Sequence, residues 1–308
     1  MRIFLFLSAL LILLNSCKQG FGKENLEIGS ESTVSSAKII AKELPFQYAK
    51  IEDRTKIIDS LKKKIASNKS LIVHVFVPLC DNENQGIVPT SPKLGNGLDL
   101  RNNLYWGVRH GMRTIFKNNS NWKKQSQLNP IDSNVLERVV FKRKYNKTEV
   151  ILIMDAYRGD RMKECLEDYF NGLAENKMDS VRVDSTLIPA FGNSDLMVFN
   201  GHNGLMDTDI SFKVTNPKIR QKDAISISCS SMYYFDAYYK QTNSYPLVTT
   251  EHSLYPGGFI LEGILDKWAT FSKDELIRQE AGNRYHAVKK CGVKGARGIF
   301  HTGWYEEY

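Results

Sequence analysis

Asp195-Leu-Met-Val-Phe-Asn200 is a short apolar run that ends in Gly201-His202-Asn203-Gly204, and Ala224-Ile-Ser-Ile-Ser228 is a second that ends in Cys229-Ser230-Ser231. Each has the length and the apolar or β-branched content of a strand. Each delivers a chemically capable side chain at its C-terminal end. In open α/β sheets, ligands bind outside the carboxyl ends of the strands. A thiol and an imidazole on neighbouring strand ends would therefore face one crevice. A cysteine nucleophile needs that layout, because an adjacent base must draw off the thiol proton. The pattern points to a Cys229/His202 dyad.

Working outward, Leu71-Ile-Val-His-Val-Phe-Val77 is near-continuously apolar, as a parallel strand buried on both faces would be. His74 inside it reads as a core residue with a local hydrogen bond. Residues 149–154 are a second core strand, paired as a hairpin with 137–143, and they end in Asp155-Ala-Tyr-Arg158. Asp155 and Arg158 read either as an ion pair or as part of a substrate cleft. The polar loop over 78–99 is long enough to suggest function, and Asp81 sits at its start. Amphipathic periodicity predicts helices over 50–67, 100–117, 160–174, 230–242, 257–270 and 273–290. Residues 118–134 read as polar connection, 246–250 as a fifth strand and 298–301 as an edge strand. Cys229 would lie just before the 230–242 helix, whose N-terminus favours a thiolate. His252, beside Glu251, is an alternative base.

The chain has 308 residues, 42% hydrophobic and 25% charged, ordinary values for a globular protein. Its net charge of +8 is spread along segments such as Lys62-Lys63-Lys64 and reads as a solvated, mildly basic surface, not a nucleic-acid site. Met1-Arg2 precedes an apolar stretch from Ile3 to Leu14, too short to span a bilayer and suited to a signal peptide. Leu14-Asn-Ser-Cys17 resembles the bacterial lipoprotein processing box. That resemblance implies a signal peptide over 1–16, a lipid on Cys17 and a membrane partner reached through it. Residues 17–45 then form a polar tether and 46–308 a single α/β domain. Lys18 does not match an inner-membrane retention signal, so lipoprotein sorting prefers the outer membrane, facing periplasm or cell surface. The remaining cysteines are Cys80, Cys165, Cys229 and Cys291, which in an exported protein allow three full pairings. A Cys80–Cys229 bridge would remove the nucleophile. The spacings contain no zinc pattern. A metal set of His74, Cys80 and Asp81 is disfavoured because His74 should point into the sheet.

Counted along the chain, the histidine follows the third core strand and the cysteine the fourth. This order resembles the caspase–hemoglobinase fold of caspases, legumains, clostripain and gingipains, over roughly residues 68–305. The resemblance implies a three-layer α/β domain with a mostly parallel central sheet flanked by helices. It implies Cys229 as nucleophile and His202 as general base or acid. It also implies an oxyanion hole from backbone N–H groups near Asn203 or Gly204 and at Cys229. The family has glycine directly after the histidine; here Asn203 intervenes before Gly204. By analogy with charged pockets in related peptidases, Asp81 or Asp207 would select a basic side chain. Leu79-Cys80-Asp81-Asn82, Asn102-Asn103-Leu104-Tyr105-Trp106-Gly107 and Gly201-His202-Asn203-Gly204-Leu205-Met206-Asp207 also resemble segments of a group of bacterial proteins, a likeness that implies no activity.

The expectation is a thiol-dependent hydrolase, a cysteine peptidase or amidase acting on a peptide or protein substrate, with no metal or organic cofactor implied. The rival expectation is a non-catalytic binding lipoprotein on the same fold, with the 78–99 loop and the crevice as its pocket. A fold alone does not decide between them.

Overall fold

A computed structural model describes residues 50–305. The expected signal peptide, Cys17 and the tether lie outside the described residues. Ten strands and seven α-helices are described. In chain order these are α1 (Thr55–Ala66), β1 (Leu71–Pro78), α2 (Met112–Asn118), β2 (Lys123–Leu128), β3 (Val135–Tyr145) and β4 (Thr148–Tyr157). They continue as α3 (Met162–Leu173), β5 (Met178–Val183), β6 (Thr186–Phe191), β7 (Leu196–Asn200), β8 (Lys222–Ile227) and α4 (Ser231–Gln241). The last are β9 (Ser244–Thr250), α5 (Gly258–Trp268), α6 (Asp274–Lys289), α7 (Val293–Gly298) and β10 (Phe300–His301).

The protein is α/β with a large, mostly parallel sheet. Eight strands run in the order β10-β9-β8-β7-β1-β4-β3-β2, and β5 and β6 form a separate hairpin. The five strands from β4 to β9 through β1 are mutually parallel. β2, β3 and β10 are antiparallel additions at the two edges. The chain starts at β1, moves to β4 on one side, then returns to β7 on the other. This reversal makes the carboxyl ends of β1 and β7 the topological switch point, the place where α/β sheets commonly bind ligands.

β1, β7 and β8 are buried along their whole lengths, which is why they read as continuous apolar runs. Alternate residues serve two separate cores. Leu71, Val73, Val75 and Val77 meet α1, α2, α5 and α6 on one face. Ile72 and Phe76 meet α3 and α4 on the other. The base of β8 is pinned by Arg54, whose Nε and Nη2 donate to the two oxygens of Asp223 at 2.7 and 2.6 Å, while Nη1 reaches Asp274 at 2.6 Å. Trp268 Nε1 also donates to Asp223, at 2.8 Å. This buried network fixes the strand that ends in Cys229.

The structure departs from the sequence reading in places with local causes. Residues 100–111 are turns, and helix begins only at Met112. Asp99 Oδ1 accepts the N–H groups of Arg101 and Asn102 at 2.9 and 3.0 Å, and Asn103 Oδ1 accepts those of Cys80 and Tyr105 at 3.0 and 3.1 Å. Such side-chain bonds compete with helix for the backbone. The polar connection at 118–134 contains β2, an exposed edge strand with no apolar pattern to betray it. The β5–β6 hairpin was not anticipated. It turns at Asp184, which adopts the left-handed conformation that Asp tolerates.

Candidate functional site

The turn after β8 is tightly held. Ser230 has φ +52°, so the chain reverses sharply between Cys229 and the first residue of α4. Ser231 Oγ donates to the Ser226 carbonyl at 2.8 Å, and Ser231 N–H points to the Ser228 carbonyl at 3.3 Å. Thr250 Oγ1, at the end of β9, donates to the Ser228 carbonyl. Cys229 is half-buried and a free thiol, as are the buried Cys80 and Cys165, so no Cys80–Cys229 bridge forms. The Cys229 thiol is directed at the Leu254 carbonyl, 3.7 Å away.

The turn after β7 is equally specific. Asn200 pairs in register with Ile227, and Gly201 N–H donates to the Ile227 carbonyl at 3.2 Å. The two loops that follow are therefore side by side. Asn203, fully buried, clasps them: its Nδ2 donates to the Cys229 carbonyl at 2.7 Å, and its Oδ1 accepts Leu205 N–H at 3.2 Å. Gly204 is required sterically, because a Cβ there would lie 2.3 Å from Met162. Gly204 N–H is spent on the His202 carbonyl at 3.0 Å. The backbone N–H groups of Asn203 and Cys229 donate to no protein acceptor among the described residues.

His202 is 8% exposed, and its Nε2 meets Asp207 Oδ2 at 3.0 Å. That same oxygen accepts Gly86 N–H from the 78–99 loop. Burial raises the Asp207 pKa, but the His202 contact and the Gly86 N–H outweigh it and hold the carboxyl below its ordinary value. Asp207 therefore orients the imidazole and anchors the loop. Sequence reasoning gave it a substrate-binding role. The available signal was its position five residues after His202, across a single turn of 3-10 helix (Gly204–Met206). Cys229 and His202 follow the adjacent parallel strands β8 and β7, but no hydrogen bond joins them directly among the described residues. His252 is exposed and lies 3.9 Å from Glu251.

The other named residues are occupied elsewhere. Asp81 organises its own loop: Oδ1 accepts the N–H groups of Glu83 and Asn84 at 2.9 and 3.2 Å, and Oδ2 accepts Asn84 Nδ2 at 3.0 Å. Asp155 does not pair with Arg158 and does not line the crevice. It is fully buried on the α3 side of the sheet, bonded by Arg138 Nε and Nη2, each at 2.6 Å, and by His74 Nε2 at 3.0 Å. Its own burial opposes ionisation, yet Arg138 and His74 hold its pKa at about 2. Phe191 N–H donates to His74 Nδ1 at 3.0 Å, so the imidazole is neutral there, and burial lowers its pKa. Arg158 instead forms a fork with Asp160, at 2.9 and 2.8 Å. Cys80 is pushed up to about 12, chiefly by burial, and is inert as a nucleophile.

No three His, Cys, Asp or Glu side chains gather as a metal-ligating group among the described residues. None of their helices is long and apolar enough to cross a membrane. The chain matches no protein-family profile, no curated protein and no solved structure.

Proposed function

We propose that the protein is a thiol-dependent acyl hydrolase of the peptidase or amidase type. Cys229 is the nucleophile, His202 the general base and acid, and Asp207 the positioning residue. The observation that carries this reading is the clasp of Asn203 Nδ2 on the Cys229 carbonyl at 2.7 Å. It holds the thiol-bearing and imidazole-bearing strand ends together at the crevice. The N–H groups of Asn203 and Cys229 donate to no protein acceptor among the described residues. They suit an oxyanion hole, where each aligned donor contributes ~3–4 kcal/mol to the transition state. In the reaction, His202 takes the thiol proton as sulfur bonds to the acyl carbon. The tetrahedral intermediate then expels the leaving group, which takes that proton from His202. Water, deprotonated by His202, cleaves the thioester and restores the thiol. No metal or organic cofactor takes part.

The finer architecture belongs to the same reading. The parallel strands, numbered by appearance, run 2-1-3-4-5 with an antiparallel strand beyond the fifth, and helices pack on both faces. This supports a three-layer caspase-like domain. We also propose an exported protein anchored through lipid on Cys17, on the strength of the Leu14-Asn-Ser-Cys17 motif.

The second reading, a binding protein on this fold, is favoured by one observation: the thiol faces the Leu254 carbonyl and not the imidazole. The pH dependence of Cys229 alkylation separates the two, with Cys80 and Cys165 as controls. A free thiol has a pKa of ~8.5 and an activated one sits units lower. Rapid labelling of Cys229 alone at about pH 6, slowed by His202→Ala and Asp207→Ala, is the expected result. Labelling no faster than that of a free thiol, and indifferent to both variants, would transfer the assignment to the binding protein.

A further inference from the structure

The crevice was expected to present carboxylates to a basic substrate. Its carboxylates are engaged: Asp207 by His202 and Gly86, Asp81 by Glu83 and Asn84. The basic side chains beside α5 and α6 are not. Arg109, His110 and Lys289 converge there, and none has an acidic partner among the described residues. Lys289 Nζ lies 5.6 Å from the centre of the Tyr255 ring. The His110 ring meets Phe259 edge-on at 5.7 Å, and its main-chain carbonyl accepts Gly258 N–H at 2.9 Å.

This cluster is tied to the thiol by one short run of chain. Leu254, whose carbonyl receives the Cys229 thiol, directly precedes Tyr255. Tyr255 N–H donates to Tyr285 Oη at 3.2 Å, and the Tyr255, Phe259 and Tyr285 rings form a continuous aromatic wall. Beyond Arg109 and Phe259 opens a cavity of about 290 Å³. The carboxylate in that cavity, Glu262, is already held by Arg284 at 2.9 Å, Asn119 at 2.9 Å and Arg143 at 3.5 Å. Burial disfavours the charged forms of both His110 and Lys289, and Arg109 and Lys289 add repulsion at His110. Arg109 is exposed, while His110 and Lys289 are half-buried; like charges so placed repel one another, and an incoming anion would offset Arg109 and Lys289 and favour protonation of His110.

We propose that Arg109, His110 and Lys289 form a subsite for a carboxylate carried by the molecule presented to Cys229. The carboxylate belongs either to a free C-terminus or to an acidic side chain. The proposal rests on the reading of Cys229 as an accessible nucleophile.

Three thiol reagents test it on the purified full chain: N-bromoacetyl-glutamine amide, which is neutral; N-bromoacetyl-glutamate α-amide, acidic at the side chain; and N-bromoacetyl-glutamine with a free α-carboxylate. Each loses bromide as sulfur bonds to its acetyl carbon, so the rate at Cys229 reads out delivery without needing the natural substrate. At least one acidic reagent should label Cys229 about tenfold faster than the neutral one, a difference worth ~1.4 kcal/mol. Lys289→Gln and Arg109→Gln should erase that advantage, bringing the acidic reagents down to the neutral reagent's rate on the same variant. Which acid gains identifies the source of the carboxylate. Equal rates for all three reagents at a reactive Cys229 overturn the subsite and leave the nucleophile standing. Failure of all three to label Cys229 faster than buried Cys80 overturns the nucleophile and the subsite together.

Discussion

Replacing Asn203 by leucine tests whether one buried amide holds the two loops together. The side chains share one branched skeleton, so the shape is kept; leucine's methyl groups are bulkier than the amide, and overpacking adds to the chemical loss. Asn203 makes two bonds across the site, to the Cys229 carbonyl at 2.7 Å and from Leu205 N–H at 3.2 Å. Leucine strands both partners. A buried polar group left without its partner costs ~1–3 kcal/mol. The Cys229 carbonyl sits in a part-buried contact that water can reach, so the lower half of the range applies there. The two lost bonds sum to about 2–5 kcal/mol, at or below the lower edge of the ~5–15 kcal/mol that holds a typical domain folded. The variant should therefore fold, with a lower urea midpoint and an unchanged slope. Asn203→Asp should be worse than a simple deletion, because it turns a carboxylate toward a carbonyl. The second readout is alkylation. Freed from the clasp, Cys229 should change its rate several-fold while Cys80 and Cys165 stay protected. A stability loss below about 0.5 kcal/mol, with Cys229 reactivity unaltered, would refute the claim that Asn203 joins the two strand ends.

Three further perturbations have definite signs. Arg138→Met leaves Asp155 ionised and buried with only His74 beside it, and should cost ~3–5 kcal/mol by urea unfolding. It should spare Cys229 alkylation, because the triad lies on the other face of the sheet. The same triad sets an acid limit. His74, lowered by burial from 6.5, contributes stability above that value and loses it as pH falls. Asp155, lowered from 3.8 to about 2, adds a second loss as pH drops from 3.8 toward 2. Each proton taken up on unfolding gives a slope of up to ~1.4 kcal/mol per pH unit. His74→Gln should flatten the first limb, and a flat profile from pH 7 to 5 in the wild-type chain would contradict it. Gly86→Ala places a Cβ 2.3 Å from Asp207 Oδ2. The carboxylate must then move from the imidazole, and Cys229 labelling should fall about tenfold with little change in stability. An unchanged rate would show that Asp207 does not position His202.

The sheet was legible because β1, β7 and β8 are buried on both faces and so spell out unbroken apolar runs. The loop over 100–111 was not. Leu104, Trp106, Val108 and Met112 mimic a helical stripe, yet Trp106 reaches the core from a turn, with its Nε1 on Glu137 at 2.6 Å. Periodicity reports which residues are buried, and the Asx bonds of Asp99 and Asn103 decided the backbone that buries them. β5 and β6 do carry an alternation, with Val181 opposite Ile188 and with Val183 and Ala190 on the same face, but it is only two residues deep per strand. At the site, Cys229 and His202 announced themselves by chemistry and position. The roles of Asp81, Asp155 and Asp207 could not be read the same way. A carboxylate's role depends on which donor reaches it first: Asp155 and Asp207 take theirs from Arg138 and Gly86 through the tertiary fold, and Asp81 takes Glu83 from its own loop.

The contrast between the two faces of the sheet bears on where chemistry can occur. On the α3 side, every polar atom of the His74–Asp155–Arg138 group that points inward has a partner. Such a saturated network stabilises, but it offers nothing to a ligand. On the α5 side, three kinds of group are left over among the described residues: a half-buried thiol, two N–H donors without protein acceptors, and three basic side chains without acidic partners. Arg109 is exposed; the rest are partly desolvated, where polar groups without partners are costly, and a fold that must only be stable would have paired or exposed them. Leftover groups that match the parts of an acyl-transfer reaction, a nucleophile, an oxyanion site and a handle for an acid, are what a site kept open for a substrate would leave. That reasoning also says what would undo it. If a bound molecule satisfied the cations but left the Asn203 and Cys229 N–H groups untouched, the crevice would be a receptor for an anion, and its thiol incidental.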